Sequence, residues 1–476
     1  MDGGAVSPLT LAEVAAAVGG SVGGPPGSEA VVLTGDPFSD SRSVRPGGLF
    51  AAIPGERVDG HEFVPAVMAA GGAGVLASRS VNAPHVLVPD VVAALGRLAR
   101  YVVDRFAAGG LVVVGLTGSS GKTSTKDLLA QVLATAGPTV APEGSLNTEV
   151  GVPLTALRVD EATRFLVVEM GARGPGHIAS LCEVTPPHVG VVLNVGSAHV
   201  GEFGSREVTA RSKGELVEAL PAADAGGVAV LNADDPLVRA MAARTGARVV
   251  LTGTSPDAHV RASDVALDRL GRPSYVLHTA GAQPQPVTLR LHGAHMVANS
   301  LAVVAVALEC GLTAPAAAQA LAGARVTSRW RMEVTERADG TTVVNDAYNA
   351  NPESMRAALE ALAVIAEGRR SWAVLGEMLE LGAASRAQHQ EVGRLAREVG
   401  VDRLVAVGEG AAGIHAGAVA AGAADGEGSV RVADAVAAEA LLCDAVAPGD
   451  VVLVKASRGV GLERVADALL SAEPTP

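Results

Sequence analysis

The hydrophobic positions of this chain fall into three differently textured stretches. Across residues 1 to 108 the apolar runs are short and β-like ("AVVLTG", "GLFAAIPG", "GAGVLAS"), and a helical period runs from about Val91 to Phe106 before the joint Ala107-Ala108-Gly109-Gly110. From Leu111 onward, continuous apolar runs alternate with helical stretches: "LVVVGLTG", "FLVVEMG", "HVGVVLNVG", "GVAVLNADD", "RVVLTG". This alternation predicts an open parallel sheet with helices on both faces. From about residue 328 a third set, "TTVVNDAY", "SWAVLGEM", "DRLVAVGEG" and "DVVLVKAS", predicts a second, smaller α/β unit. The expected fold class is therefore α/β, in three domains at 1–108, 109–327 and 328–476.

In open α/β sheets the ligand crevice lies outside the carboxyl ends of the strands. Thr117, Glu169, Asn194, Asp234, Asp346, Glu377 and Lys455 stand just after the expected strands and are better site candidates than polar residues elsewhere. The sharpest signal is "VVVGLTGSSGKTSTKDLLAQVL", residues 112–133, an apolar run that breaks into a turn and continues with a helical pattern. The backbone N–H groups of such a turn and the positive end of the helix make a seat for phosphate. Lys122 would reach the terminal phosphates and the Thr123 hydroxyl would bind Mg²⁺. The usual pattern wants a glycine where Leu116 stands, so the loop is a compact variant: Gly118, Ser119, Ser120, Gly121. A glycine turn without a ligand is the bland alternative, disfavoured because strand, Gly-Lys-Thr and helix coincide.

Glu169 ends a buried run where nucleotide enzymes often place the acid that completes the Mg²⁺ shell; a helix-capping carboxylate is its alternative. A guanine-reading Asn-Lys-x-Asp does not occur, and "LNADD" lacks the lysine. In "LNVGSAHVGEFGSREVTARSKGEL", His199 and Lys213 carry little weight alone, because a lone histidine is more often structural and a helix lysine more often solvated.

Composition narrows the partners. With 49% hydrophobic residues, only 2% aromatics and 57 glycines among 476 residues, the interior must be packed by Val, Leu and Ala. A formal net charge of −13 argues against non-specific binding to nucleic acid or acidic membranes, so an anionic ligand must be held by local positive sites. Cys182, Cys310 and Cys443 have no metal or redox spacing and read as buried small hydrophobes in a reduced compartment. The N-terminal stretch has no signal-peptide pattern and the Ala-rich runs are too short to span a bilayer, so a cytoplasmic protein without membrane insertion is expected.

Together the motifs "GLTGSSGKTSTK", "EMGARGPGHI", "LNVGSAHVGEFGS…KGEL", "HMVAN", "RWRMEV" and "NDAYNANPESMRAAL", in this order, resemble the Mur ligases of peptidoglycan synthesis, most of all the member that adds D-alanyl-D-alanine. The N-terminal "SDSRSVRPGGLFAAIPGERVDGHEF" is similar to the segment that binds a uridine nucleotide in that family. The relative that adds the third residue typically carries Asp-Asn-Pro-Arg where this chain reads Asn-Ala-Asn-Pro-Glu, which favours the dipeptide-adding enzyme.

The resemblance implies an N-terminal α/β domain for the UDP-substrate, a central P-loop parallel-sheet ATPase domain and a C-terminal Rossmann-like α/β domain. It implies ATP and two Mg²⁺ ions: Thr123 and Glu169 on one, His199 and Lys213 on the other, with Lys213 carrying a CO₂-derived carbamate. Lys122 would lie on the phosphates, Asn299 would face the adenine, Arg331 would come from the third domain to the γ-phosphate, and Asp346 would meet the ribose. Ser41 and Arg42 would contact the UDP end of a UDP-N-acetylmuramoyl-tripeptide, and Asn147 and Thr148 would line its peptide channel. Asn349 and Asn351, with Lys455 and Ser457, would place the incoming D-alanyl-D-alanine. The expected reaction is an ADP-forming amide ligation through an acyl phosphate, catalysed by a monomer. Its alternatives are a different amino-acid ligase of the same superfamily or a non-catalytic nucleotide-binding protein. Domain closure would turn on hinges near residues 325–331 and around Ala107–Gly110.

Overall fold

The computed structural model describes residues 8–55, 58–196 and 205–471. Its centre is a nine-stranded sheet. Seven of its strands are parallel, ordered Thr139–Val140, Phe165–Glu169, Val112–Thr117, Val189–Val192, Val228–Asn232, Arg248–Gly253, Val260–Leu267. Antiparallel pairings then add Pro273–Thr279 and Gln285–Thr288.

Apolar residues at every position of the inner strands follow from burial on both faces. Val113, Leu166, Val168, Val192, Ala229 and Leu231 point into one core, whereas Val114, Leu116, Val167, Val191, Val228 and Val230 point into the other. The two antiparallel strands, and Val260–Leu267 beside them, extend the sheet beyond the runs read from the sequence. In Pro273–Thr279 only alternate residues such as Tyr275 and Leu277 are buried, so no continuous apolar run marks the strand.

The chain order around Val112–Thr117 reverses: the next two strands lie on one side of it and Val189–Val192 on the other. That reversal opens a crevice at the carboxyl ends of Val112–Thr117 and Val189–Val192, where the glycine-serine turn sits.

The N-terminal stretch forms a four-stranded sheet, Ser21–Gly23, His85–Leu87, Gly74–Ala77 and Leu49–Ala51 in spatial order. Helix Val91–Ala107 packs against the N-terminal helix Leu11–Val18 and also against Gly151–Ala156 and His177–Val184 of the central unit. One continuous core therefore runs from Leu11 and Leu95 through Leu111 to Val113 and Leu166. This corrects the expectation of a hinge at Ala107–Gly110: the connection leaves a helix welded to both units, and turning there would tear the shared core.

The third unit is different. Its six-stranded sheet runs Glu333–Glu336, Thr342–Asn345, Val451–Lys455, Ser371–Leu375, Arg403–Val407, Ser429–Val432, parallel except for the first strand. Its two cores, one on each face, share no residue with those of the central sheet. Among the described residues no helix is long and apolar enough to cross a membrane.

Candidate active site

Helix Lys122–Ala134 starts directly after the turn, and Gly121 supplies the left-handed residue at its N-cap with φ 80°. A side chain at Gly121 would meet the Asn299 amide at 2.9 Å, so the bare backbone is required both by its conformation and by that neighbour. The turn is braced from the adjoining strand. Asn194 Oδ1 accepts the N–H groups of Ser119 (3.0 Å) and Ser120 (2.9 Å), and its Nδ2 donates to the Ser120 carbonyl at 3.1 Å. With those two amides committed, the open donors toward the cleft are those of the first helical turn, and an anion seat there fits the helix dipole.

Lys122 Nζ donates to the Gly118 carbonyl at 2.7 Å. Burial lowers the pKa of its ammonium, Glu169 opposes that shift and Arg331 adds to it. The Thr123 hydroxyl donates to Glu169 Oε2 at 3.1 Å, and the other Glu169 oxygen accepts from Ser145 Oγ (3.0 Å) and Asn147 Nδ2 (2.7 Å). Glu169 is 1% exposed, so it is a held carboxylate at a strand end and not a helix cap.

From the third unit, Arg331 Nη2 reaches the Thr123 hydroxyl at 3.2 Å while its guanidinium lies 4.0 Å from the Tyr348 ring centroid. Its Nε is buried without a hydrogen-bond partner among the described residues. A buried guanidinium N–H without a partner, beside a hydroxyl–carboxylate pair at a helix N-terminus, fits an additional polyanionic ligand with a divalent cation.

Lys213, on helix Arg206–Glu218, lines the same cleft and is 3% exposed. No hydrogen bond or ion pair reaches its ammonium among the described residues. Burial pushes its pKa well below the usual lysine range, with Lys122 as the second cause. His199 lies outside the described residues.

The cleft measures about 1480 Å³ and is walled by the turn, by Asn147, Thr148 and Glu169, and by Arg331, Asp346, Tyr348, Asn349, Asn351, Lys455 and Ser457 of the third unit. Several of these have structural partners. Asp346 Oδ2 accepts from Lys455 Nζ at 2.5 Å and Oδ1 from the Met332 N–H at 3.1 Å. Lys455 also donates to the Asn349 carbonyl at 2.9 Å; burial lowers its pKa and Asp346 opposes that shift. Asn351 caps helix Pro352–Ala366 and donates to the Ser119 carbonyl at 3.3 Å, a further tie between third unit and turn. Thr148 accepts the Gly151 N–H at 3.3 Å, and Ser457 Oγ accepts the Leu379 N–H at 2.9 Å.

Asn299 is buried beside a separate cavity of about 90 Å³ behind the turn, shared with Asn194, Asn232 and His295. Ser41 and Arg42 do not line the cleft; Arg42 is exposed and forked onto Asp40 at 2.9 and 2.7 Å.

Three cleft histidines stand outside the residues singled out from the sequence; His292, whose Nδ1 lies 2.7 Å from the Leu270 carbonyl, belongs to no recognised motif, and the other two are His295 and His177. His295, the first residue of helix His295–Glu309, borders both cavities, and burial lowers its pKa. His177 lies on the wall by Arg173. His295 and His177 sit within motifs already recognised, "HMVAN" and "EMGARGPGHI", which was the available signal.

Three family models cover most of the chain: the Mur ligase family catalytic domain over residues 38–102, the Mur ligase middle domain over 116–307, and the Mur ligase glutamate ligase domain over 330–458. The UDP-N-acetylmuramoyl-tripeptide–D-alanyl-D-alanine ligase of Mycobacterium bovis is 50% identical, with 97% of this chain and 98% of the relative covered. The Escherichia coli enzyme of the same name is 35% identical over 90% of this chain and 92% of its own. Among solved structures, MurF from Acinetobacter baumannii matches with a TM-score of 0.85 and 29% identity over 98% of this chain and 100% of that one. MurF ligase from Thermotoga maritima in complex with ADP matches with a TM-score of 0.76 and 32% identity, covering 92% and 97%. The chain belongs to the Mur ligase family, in its MurF branch.

Proposed function

We propose that this chain is an ATP-dependent, ADP-forming ligase that joins D-alanyl-D-alanine to the terminal carboxylate of a UDP-N-acetylmuramoyl-tripeptide. The reaction belongs to peptidoglycan precursor synthesis, with the cytoplasm as its place. The observation that carries the reading is the meeting of Thr123, Glu169 and Arg331 at the N-terminus of the phosphate helix, with groups from two separately packed units.

A carboxylate resists attack by an amine because its charge repels the nucleophile and oxide leaves poorly. Moving the γ-phosphoryl group onto a carboxylate oxygen breaks the β–γ bridge and makes an acyl phosphate. The deprotonated amine of the dipeptide then attacks the carbonyl carbon and phosphate departs. Two anions must approach for the first step, and Lys122 and Arg331 supply the positive field. Bound Mg²⁺ would neutralise phosphate charge and orient the transferred group.

Thr123 and Glu169 would hold one Mg²⁺, which would supply charge neutralisation at the phosphates. Lys213, with His199, is proposed for a second ion. The buried amine, without a partner among the described residues, supports carbamylation, since only a neutral amine adds CO₂ and the resulting carbamate offers the negative oxygens an ammonium lacks. Asn299 would face the adenine from the small cavity, and Asn147, Thr148, Asn349, Asn351, Lys455 and Ser457 would shape the peptide and dipeptide ends. Asp346 reaches the ribose in this reading while remaining paired to Lys455. Ser41 and Arg42 would meet the UDP end at the outer edge, which requires Arg42 to exchange Asp40 for the nucleotide.

The expected result of a substrate-omission assay is release of ADP and phosphate only when UDP-muramoyl-tripeptide and D-alanyl-D-alanine are both present. ADP release driven by a single amino acid, with the dipeptide inert, would leave a ligase of different specificity. Nucleotide binding with no turnover under any pairing would leave a non-catalytic protein.

A further inference from the structure

Helix Lys122–Ala134 carries a buried ion pair with no direct place at the phosphate seat. The side chains of Lys126 and Asp127 are 3% and 1% exposed, a setting in which charges persist only when fully partnered. Apart from each other and the Pro142 carbonyl, their partners come from the far side of the sequence. Asp127 Oδ2 accepts the N–H groups of Thr327 (2.9 Å) and Ser328 (2.8 Å), and Oδ1 accepts the Ser328 hydroxyl at 3.1 Å. Lys126 Nζ donates to Asp127, to the Pro142 carbonyl at 2.8 Å and to Ser328 Oγ at 3.3 Å. One turn further along the helix, Gln131 donates to the Arg325 carbonyl at 2.6 Å and accepts the Arg325 N–H at 3.1 Å. Residues 325–328, the connection to the third unit, are thus fastened along the helix whose first turn faces the cleft.

Beyond Ser328 the chain turns sharply. Trp330 and Met332 both occupy the left-handed region, at φ 59° and 50°, which bulky residues avoid. Between them Arg331 returns to Thr123, on the first turn of that same helix. The loop from Asp127 through Ser328 to Arg331 and Thr123 therefore closes on one rigid element.

We propose that the Lys126–Asp127 pair is a positioning device for Arg331: it pins Ser328 to the phosphate helix, so that movement of the third unit pivots on residues 329–332 and brings Arg331 back to one place. The inference rests on the reading that Arg331 serves the transferred phosphoryl group. A carboxylate is specifically suited to the task, because its two oxygens take two N–H groups, a hydroxyl and an ammonium at once. Asparagine at 127 retains one acceptor oxygen, turns an NH₂ toward a donor and leaves Lys126 buried without a countercharge.

The test is a double-mutant cycle on ligation turnover with Asp127→Asn, Arg331→Ala and their combination, together with the affinity for a non-hydrolysable ATP analogue and thermal melting. Asp127→Asn is expected to lower kcat about ten-fold or more in the native background, to change analogue affinity less than about three-fold, and to cause no further loss where Arg331 is already alanine. Independent, multiplying losses would overturn the proposal and make the pair a structural one. Unaltered turnover in Arg331→Ala alone would overturn the reading of Arg331, an outcome read from that single variant. Should Asp127→Asn fail to fold, Ser328→Ala removes only the hydroxyl shared by the pair. Its expected few-fold loss of kcat should likewise vanish beside Arg331→Ala, and multiplying losses there overturn the proposal equally.

Discussion

Arg331→Ala is expected to lower turnover by about a thousand-fold while leaving the KM for the UDP-substrate within about three-fold. The size follows from the geometry. The guanidinium comes from a separately cored unit, stacks on Tyr348, touches Thr123 and keeps one buried N–H without a partner among the described residues. On the proposed reading, a group so held would gain most when charge spreads over the transferred phosphoryl oxygens, and less in the ground state. Arg331→Lys should restore little, because an ammonium neither stacks on the ring nor presents the planar fork. Steady-state kinetics at saturating ATP checks this. A loss below about ten-fold would place Arg331 outside the reacting centre.

The parts of the molecule that the sequence announced are those whose physics is contiguous. Strands such as Val112–Thr117 and Val451–Lys455 are buried on both faces, so every position is apolar and the run is unmistakable. The seat for phosphate is also legible because Gly118 to Thr123 are contiguous, although Asn194, more than seventy residues on, braces the turn. Glu169 was legible from its place at a strand end. Pro273–Thr279 was not, because half its residues meet solvent and only a two-residue alternation marks it.

The brace and the clamp were harder still. Lys126 and Asp127 look like ordinary solvated positions on an amphipathic helix until Ser328, 201 residues beyond Asp127, is folded against them. The supposed hinge at Ala107–Gly110 failed for a related reason. A glycine-rich joint signals freedom only when the flanking units have separate cores, and Leu11 and Val113 turn out to share one. The other proposed hinge lies between cores that are separate, and there the clamp narrows it to residues 329–332.

Lys213→Ala is expected to abolish most ligation, by about a hundred-fold or more, and short carboxylic acids such as acetate should return part of it. The native amine is buried in the cleft wall, without a partner among the described residues, and its pKa is well depressed, first by burial and then by Lys122. Burying such a group costs stability. The sign of the pH dependence follows. The unfolded lysine holds its proton up to about pH 10.4 whereas the native amine has released it lower down, so the unfolded state binds more protons between those two values. Stability contributed at this position therefore rises with pH across that window. Lys213→Met in the metal-free protein should raise the melting temperature at neutral pH, with an advantage that shrinks as the pH approaches about 10. A carbamate role adds a requirement that a merely buried lysine lacks: native activity should fall when CO₂ and bicarbonate are stripped from the assay and return on their addition, whereas the acetate-rescued alanine variant should ignore both. Full activity of Lys213→Ala, or native activity indifferent to CO₂, would reduce Lys213 to a packing residue and leave the second cation to other ligands.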